Sequence, residues 1–266
     1  MVHLQRRQQP RKDSASFNRR KNWILKDRLD QILISRKIAP TIEIARAMIY
    51  AGEVYLNEQI SDKPGRLYST EVLIRIKEKC PYVSRGGLKL ERALAHFCIS
   101  PAGLTCVDIG ASTGGFTDCL LQHNAQKVYA IDVAYGQLAW KIRQDSRVAV
   151  LERFNARNIT LKDINSQPID LAVMDVSFIS LTTLLPPITN LFSENVAIIA
   201  LIKPQFELPR NDVGPGGVVD QSSLHQKAID KVVTFVQQAG LVTRGTVTSP
   251  ILGPKGNREF LIYITS

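Results

Sequence analysis

Two charged residues stand where an apolar pattern leads the eye to expect none. Asp175 closes the run Leu171-Ala172-Val173-Met174-Asp175, and Lys203 closes Ile198-Ile199-Ala200-Leu201-Ile202-Lys203 and is followed by Pro204. Both runs read as buried parallel strands, and in open α/β sheets reactive groups gather at the carboxyl ends of such strands. An acid and an amine facing one crevice make a general-base pair. A partly desolvated lysine can be neutral near working pH and take a proton from an alcohol, while the acid orients the amine. The same two residues are also consistent with a plain salt bridge between strand ends.

A third segment supplies a place for a ligand. Val107-Asp108-Ile109-Gly110-Ala111-Ser112-Thr113-Gly114-Gly115-Phe116-Thr117 reads as a buried strand, a glycine-rich turn and a helix. Gly110 can take a positive φ at the strand end, and Gly114 and Gly115 let a ligand approach unpaired helix amides. An adenosine-containing molecule suits such a crevice. Ser112 stands where the second glycine of the dinucleotide fingerprint belongs, and Asp108 precedes the first glycine by two positions. A carboxylate there repels a pyrophosphate and attracts an ammonium or sulfonium group. About twenty residues on, Asp132 ends the strand Lys127-Val128-Tyr129-Ala130-Ile131-Asp132, placed to accept hydrogen bonds from ribose hydroxyls. Together these favour S-adenosylmethionine over NAD. A short-chain dehydrogenase is excluded, because no Tyr-x-x-x-Lys occurs in the chain.

The elements that position these residues alternate strand and helix. Strands are predicted over 105–109, 127–133, 148–151, 171–175, 196–202, 242–249 and 259–264, with helical patterns over 116–123, 137–144 and 222–239. The fold class is therefore α/β, a seven-stranded Rossmann-like sheet of the methyltransferase type. The last two strands are joined across Gly253 to Gly256 as a hairpin would be, which makes the final strand antiparallel.

The 266 residues suffice for this domain and a smaller one. Residues 27–78 form that smaller α+β unit, after a basic arm over 1–26 and before a linker over 79–83 that leads into the large domain, 84–266. Its helical faces run through Leu29, Ile32, Leu33 and Ile34, then Ile44, Ala45, Met48 and Ile49, stopping at Gly52. Short strands follow around Val54-Tyr55-Leu56, turning at Asn57-Glu58, and Val72 to Ile76. The net charge of +10 is concentrated: the arm carries eight basic residues against Asp13, and 79–100 carries four against Glu91. A polar, basic arm suits phosphate contacts. The four cysteines, Cys80, Cys98, Cys106 and Cys119, lack metal-ligand or disulfide spacing and are expected to be buried free thiols. No apolar run reaches membrane-spanning length, and Met1 to Arg11 lacks the apolar core of a secretion signal. The expectation is a cytoplasmic protein with no membrane partner; its oligomeric state is left open.

Two resemblances sharpen these expectations. Arg28-Leu29-Asp30, Ala45-Arg46-Ala47-Met48-Ile49 and Ala51-Gly52-Glu53-Val54-Tyr55-Leu56-Asn57 resemble the S4 RNA-binding domain. That family usually has Ser-Arg where this chain has Thr41-Ile42, so one phosphate contact is missing, and eight basic side chains balance eight acidic ones in the unit. Arg46 and the adjoining arm must then supply much of the attraction for RNA. Over most of the chain the sequence resembles the TlyA-like proteins, often called hemolysin A, whose catalytic domain is FtsJ-like. Ser84-Arg85-Gly86-Gly87-Leu88-Lys89, Asp108 through Cys119, Asp175-Val176-Ser177-Phe178-Ile179-Ser180-Leu181, Lys203-Pro204-Gln205-Phe206-Glu207 and Gly253-Pro254-Lys255-Gly256-Asn257 carry the resemblance.

The resemblance implies 2′-O-methylation of cytidine ribose in ribosomal RNA or ribosomal subunits by a Lys-Asp-Lys-Glu tetrad. The tetrad falls on Lys89, Asp175, Lys203 and Glu259. Lys203 would activate the 2′-hydroxyl, Asp175 would orient it, and Lys89 and Glu259 would place the ribose. For S-adenosylmethionine it implies Gly110, Ser112, Gly114, Phe116 and Asp175 near the methionine and the turn, Asp132 on the ribose and Asn155 near adenine. Asn155 is an amide where FtsJ has an acid. Glu207 and Arg210 follow Lys203 closely enough to serve as helpers, though they read more readily as loop charges. Two other function classes remain: a catalytically silent RNA-binding or ribosome-assembly protein, and a membrane-active hemolysin, which the absence of a spanning segment disfavours.

Overall fold

The computed structural model describes residues 25–77 and 80–266. Residues 1–24 of the basic arm and Lys79 of the linker lie outside them. The chain divides into two compact units, 1–79 and 80–266.

In the first unit β1 (Lys26–Arg28) pairs antiparallel with β4 (Leu67–Ser69), so Lys26, expected in the arm, is part of a strand. Helices α1 (Leu29–Ser35) and α2 (Ile42–Tyr50) bury Leu29, Leu33, Ala45 and Ile49 against Val54 and Leu56. Thr41 caps α2, its Oγ1 accepting from the Ile44 amide at 3.4 Å. Ile44, expected on the apolar face, is exposed to 44%. A three-stranded sheet joins β2 (Val54–Leu56), β3 (Gln59–Ile60) and β5 (Ile74–Ile76), the β2–β3 turn holding Asn57 and Glu58 at positive φ. Such a pair of left-handed residues matches the right-handed twist of the strands it joins. Asp30 is fully buried and is held by Arg28 Nη2 at 2.7 Å and Arg46 Nε at 3.0 Å. The hydrogen bonds from Arg28 hold its pKa down at about 2, and those from Arg46 add to this. Arg46 thus keeps one side on Asp30 while about half of its side chain stays exposed.

The second unit is a seven-stranded sheet in the order β11-β12-β10-β9-β6-β7-β8. Its parallel strands are β6 (Thr105–Ile109), β7 (Lys127–Ile131), β8 (Val148–Leu151), β9 (Leu171–Met174) and β10 (Ala197–Ile202). The last strand, β12 (Phe260–Thr265), runs antiparallel between β10 and β11 (Val242–Thr248). Each central strand is apolar on both faces because helices cover both. On one face Val107, Ile109, Met174, Ile202 and Ile264 pack with α6 (Leu181–Thr189) and α8 (Ser222–Gln238). On the other, Cys106, Val173, Leu201 and Leu261 pack with α3 (Gly86–Phe97) and α4 (Gly115–Gln122).

Two helices depart from expectation. The pattern over 137–144 shortens to α5 (Trp140–Arg143), because the preceding loop turns at Gly136 and crosses the glycine turn, Ala139 N donating to Thr113 O. Helix α6 was not foreseen: Pro186 and Pro187 lie inside it, and such prolines argue against a helix in sequence. Of the cysteines, Cys106 and Cys119 are buried, with burial raising both thiols to about 12, but Cys98 is exposed, contrary to expectation.

Candidate active site

Side-chain alternation explains how four distant residues meet. Met174, Ile202 and Ile264 face the α6 layer, so Asp175 and Lys203, one step past the strand ends, face the α3 layer. Ile202 pairs with Phe260 in the antiparallel β12 register, which brings Glu259, just before that strand, level with Lys203. Lys89 lies in the second turn of α3 and is only 7% exposed.

What brings α3 close enough is a glycine contact. A Cβ on Gly115 would lie 2.3 Å from Ser84 Oγ and 2.9 Å from Gly87 N, and one on Gly87 would lie 2.2 Å from the Tyr82 ring. Only hydrogen in place of a side chain lets the starts of α3 and α4 touch.

The result is a chain of ion pairs. Lys203 Nζ lies 2.6 Å from Asp175 Oδ1, Lys89 Nζ lies 3.4 Å from Asp175 Oδ2, and Lys89 Nζ lies 2.7 Å from Glu259 Oε2. Lys203 also donates to Ser177 Oγ at 3.0 Å. Two cations and two anions offset one another, which is what permits Lys89, Lys203 and Glu259 to be buried. All four line one cavity of about 680 Å³, together with Phe116.

A second cavity of about 490 Å³ lies beside it and holds Asp132 and Asn155. Gly110, Ser112, Asp175, Ser177 and Phe178 line both cavities, so the two meet at the glycine turn. Gly110 has φ +83° and Ser112 φ +48°. The Ser112 amide donates to Asp132 Oδ2 at 2.7 Å and the Ala134 amide to Oδ1 at 2.8 Å. Each carboxylate oxygen keeps a further lone-pair site for a hydroxyl. Ile131, Phe154, Ile179 and Leu184 supply apolar walls of a size and kind that suit a purine. Asn155 Oδ1 accepts from the Arg157 amide, and the residue stands exposed at that cavity's edge.

The family profile of the FtsJ-like methyltransferases matches residues 82–265, and that of the S4 domain matches 27–74. The chain belongs to the FtsJ-like methyltransferase family. It is 42% identical over 239 residues to the 16S/23S rRNA (cytidine-2′-O)-methyltransferase TlyA of Mycobacterium tuberculosis, covering 89% of each chain. It is 40% identical over 237 residues to the hemolysin A of Brachyspira hyodysenteriae, covering 89% of this chain and 98% of that one. Among solved structures, a Streptococcus thermophilus protein that carries a hemolysin label superposes with a TM-score of 0.71 at 41% identity, over 91% of this chain and 89% of that one. The combination of S4 and FtsJ-like domains is thus that of the TlyA family.

Within the FtsJ-like domain three residues stand apart from both cavities. Asp108 is fully buried, lines neither cavity, and its Oδ2 accepts from Thr117 Oγ1 at 2.7 Å. It lies on the β6 face turned toward α4, and burial pushes its pKa up to about 7. Gly114 also lines neither cavity; a Cβ there would lie 2.9 Å from Leu138 Cδ1. Its φ of +92° at the N-terminus of α4 turns the chain into the helix. Glu207 is no loop charge. It ends α7 (Pro204–Glu207), is 3% exposed, and accepts from Ser180 Oγ at 2.5 Å and the Leu181 amide at 2.8 Å. Arg210 is exposed and lines neither cavity.

Sequence reasoning missed Ser177 and Phe178 as cavity residues. Both lie in the segment Asp175 to Leu181, already singled out, but only Phe178's φ of +64° and 89% exposure mark it as unusual.

Proposed function

We propose that this protein transfers the methyl group of S-adenosylmethionine to the 2′-hydroxyl of a cytidine in ribosomal RNA, as a cytoplasmic enzyme of the TlyA type. The observation that carries this reading is the ion-pair chain Glu259–Lys89–Asp175–Lys203 in the wall of one cavity, next to a second suited to adenosine.

S-adenosylmethionine, when bound, supplies an electrophilic methyl group on a sulfonium. Asp132 would hold its ribose, Asn155 its adenine edge, and Gly110, Ser112 and Phe116 its methionine side. Lys203 Nζ stands 2.6 Å from Asp175 Oδ1. A hydroxyl placed against that pair can pass its own proton to it as the oxygen becomes a nucleophile. Lys89 and Glu259 keep Asp175 oriented and balance its charge. Burial of the group strengthens each of these interactions over its value in water. The S4 unit, with Arg46 half exposed, supplies contacts to folded RNA.

The test is methyl transfer from labelled S-adenosylmethionine to ribosomal RNA or subunits lacking the modification. Label should appear on a cytidine 2′-oxygen, and Lys203→Ala should abolish it while the fold persists. Absence of cofactor binding by calorimetry sinks the reading. Among the described residues no helix is long and apolar enough to cross a membrane, so the hemolysin name has no spanning helix to rest on.

A further inference from the structure

We propose that Glu207 is a positioning residue for methyl transfer, which sets the segment carrying Asp175 and Ser177 against Lys203 by gripping the far end of that segment. The inference rests on the reading above and extends it to a residue that lines neither cavity.

Two segments run side by side from neighbouring strand ends, Asp175 to Leu181 and Lys203 to Glu207. They are tied at three points. At the near end Lys203 Nζ holds Asp175 Oδ1 at 2.6 Å and Ser177 Oγ at 3.0 Å. In the middle the Phe178 and Phe206 rings pack with centroids 5.0 Å apart. At the far end Glu207 Oε2 accepts from Ser180 Oγ at 2.5 Å, and Oε1 accepts from the Leu181 amide at 2.8 Å. Lys231, from α8, stands 3.3 Å from the same carboxylate and donates to the Glu207 carbonyl at 2.5 Å.

Helix capping alone does not require this arrangement. Ser180 already caps α6 with its own side chain, accepting from the Thr182 amide at 3.3 Å. A carboxylate only 3% exposed is costly to bury, and here each oxygen is engaged. What the grip adds is a fixed loop between its two anchors. That loop contains Phe178 at φ +64°, a left-handed conformation that a bulky residue keeps only where its surroundings over-determine it. Lys203 anchors the segment on one side of this residue and Glu207 on the other. Released at Glu207, the loop relaxes, Ser177 moves from Lys203, and the amine loses a partner that aims it.

The experiment compares the full-length protein with Glu207→Gln, Ser177→Ala and the double variant, with Glu207→Ala and Lys231→Met as further variants. In Glu207→Gln, kcat on unmodified ribosomal RNA should fall by about tenfold, the cost of a small misplacement of reacting groups. The dissociation constant for S-adenosylmethionine should stay within about twofold and KM for RNA within about threefold, on the order of ordinary mutational scatter. In the Ser177→Ala background the same substitution should cost less than about threefold, because interacting residues are non-additive. Equal losses in both backgrounds, or a kcat unchanged by Glu207→Gln, overturn the proposal. Amide exchange over residues 176–181 gives a reading independent of activity: it should speed up in Glu207→Gln at unchanged thermal midpoint. Unchanged exchange there refutes the grip. If the wild type methylates no RNA while exchange responds as expected, the proposed reaction has failed and the grip on the loop has not.

Discussion

Replacing Lys89 with methionine keeps much of the side chain's bulk and deletes its charge. Lys89 and Glu259 have side chains 9% and 1% exposed and lie 2.7 Å apart. Among the described residues no other cation forms an ion pair with Glu259. Asp175 keeps Lys203 at 2.6 Å, so the loss falls on Glu259. Removing one partner of a buried pair costs about 3–5 kcal/mol, since a charge is left without compensation. For a domain of this size each kcal/mol moves the melting midpoint by roughly 2–4 °C. Lys89→Met should therefore lower the midpoint of the FtsJ-like domain by roughly 6–20 °C in scanning calorimetry of the full chain. Lys89→Met with Glu259→Gln removes both charges and should recover most of that loss. Neither variant should transfer methyl groups. A single variant melting within about 2 °C of wild type would refute the reasoning, as would a double variant no more stable than the single.

Gly115→Ala places a methyl 2.3 Å from Ser84 Oγ, which can rotate away, and 2.9 Å from Gly87 N, which cannot. Calorimetry and turnover should show weaker cofactor binding and at least about tenfold slower transfer, because α3 carries Lys89. Asp108, at about 7 in the fold against 3.8 as its ordinary value, contributes stability below pH 4 that is lost as pH rises through 7. Melting profiles should show Asp108→Asn gaining on wild type over that interval and running parallel to it above. Asp30, held at about 2, behaves oppositely: its contribution is present above its ordinary 3.8 and is lost as pH falls through 2. Asp30→Asn should speed amide exchange across α1 and α2 near neutrality, with the difference from wild type closing below pH 4.

The central strands of the large sheet were legible to within a residue or two because their apolar runs are buried on both faces and end abruptly in charge, as at Asp175 and Lys203. The short β1, β3 and β4 of the first unit carry no such runs and were missed. Sidedness in the large sheet was not legible, because burial on both faces leaves no contrast. With no alternation to read, Asp108 looked as available to a ligand as Asp132, yet one faces α4 and the other the cavity. Helix α6 stayed hidden behind Pro186 and Pro187, since its compensation lies in the burial of Leu181, Leu184, Leu185 and Ile188. Glu207 misled because a polar stretch after a strand usually is solvated. Its partners, Ser180 and Lys231, lie more than twenty residues away on either side.

The antiparallel β12 is seated between β10 and β11 rather than at the sheet's margin. Among the described residues β12 is the sheet neighbour that holds β11, and the residue just before it, Glu259, meets Lys89. The glycine turn and the Asp175–Lys203 pair lie at the ends of β6, β9 and β10 and do not draw on β12. Of the tetrad positions Glu259 alone is set by this strand, so the closure of the ion-pair chain on Lys89 depends on the seat of β12 between β10 and β11.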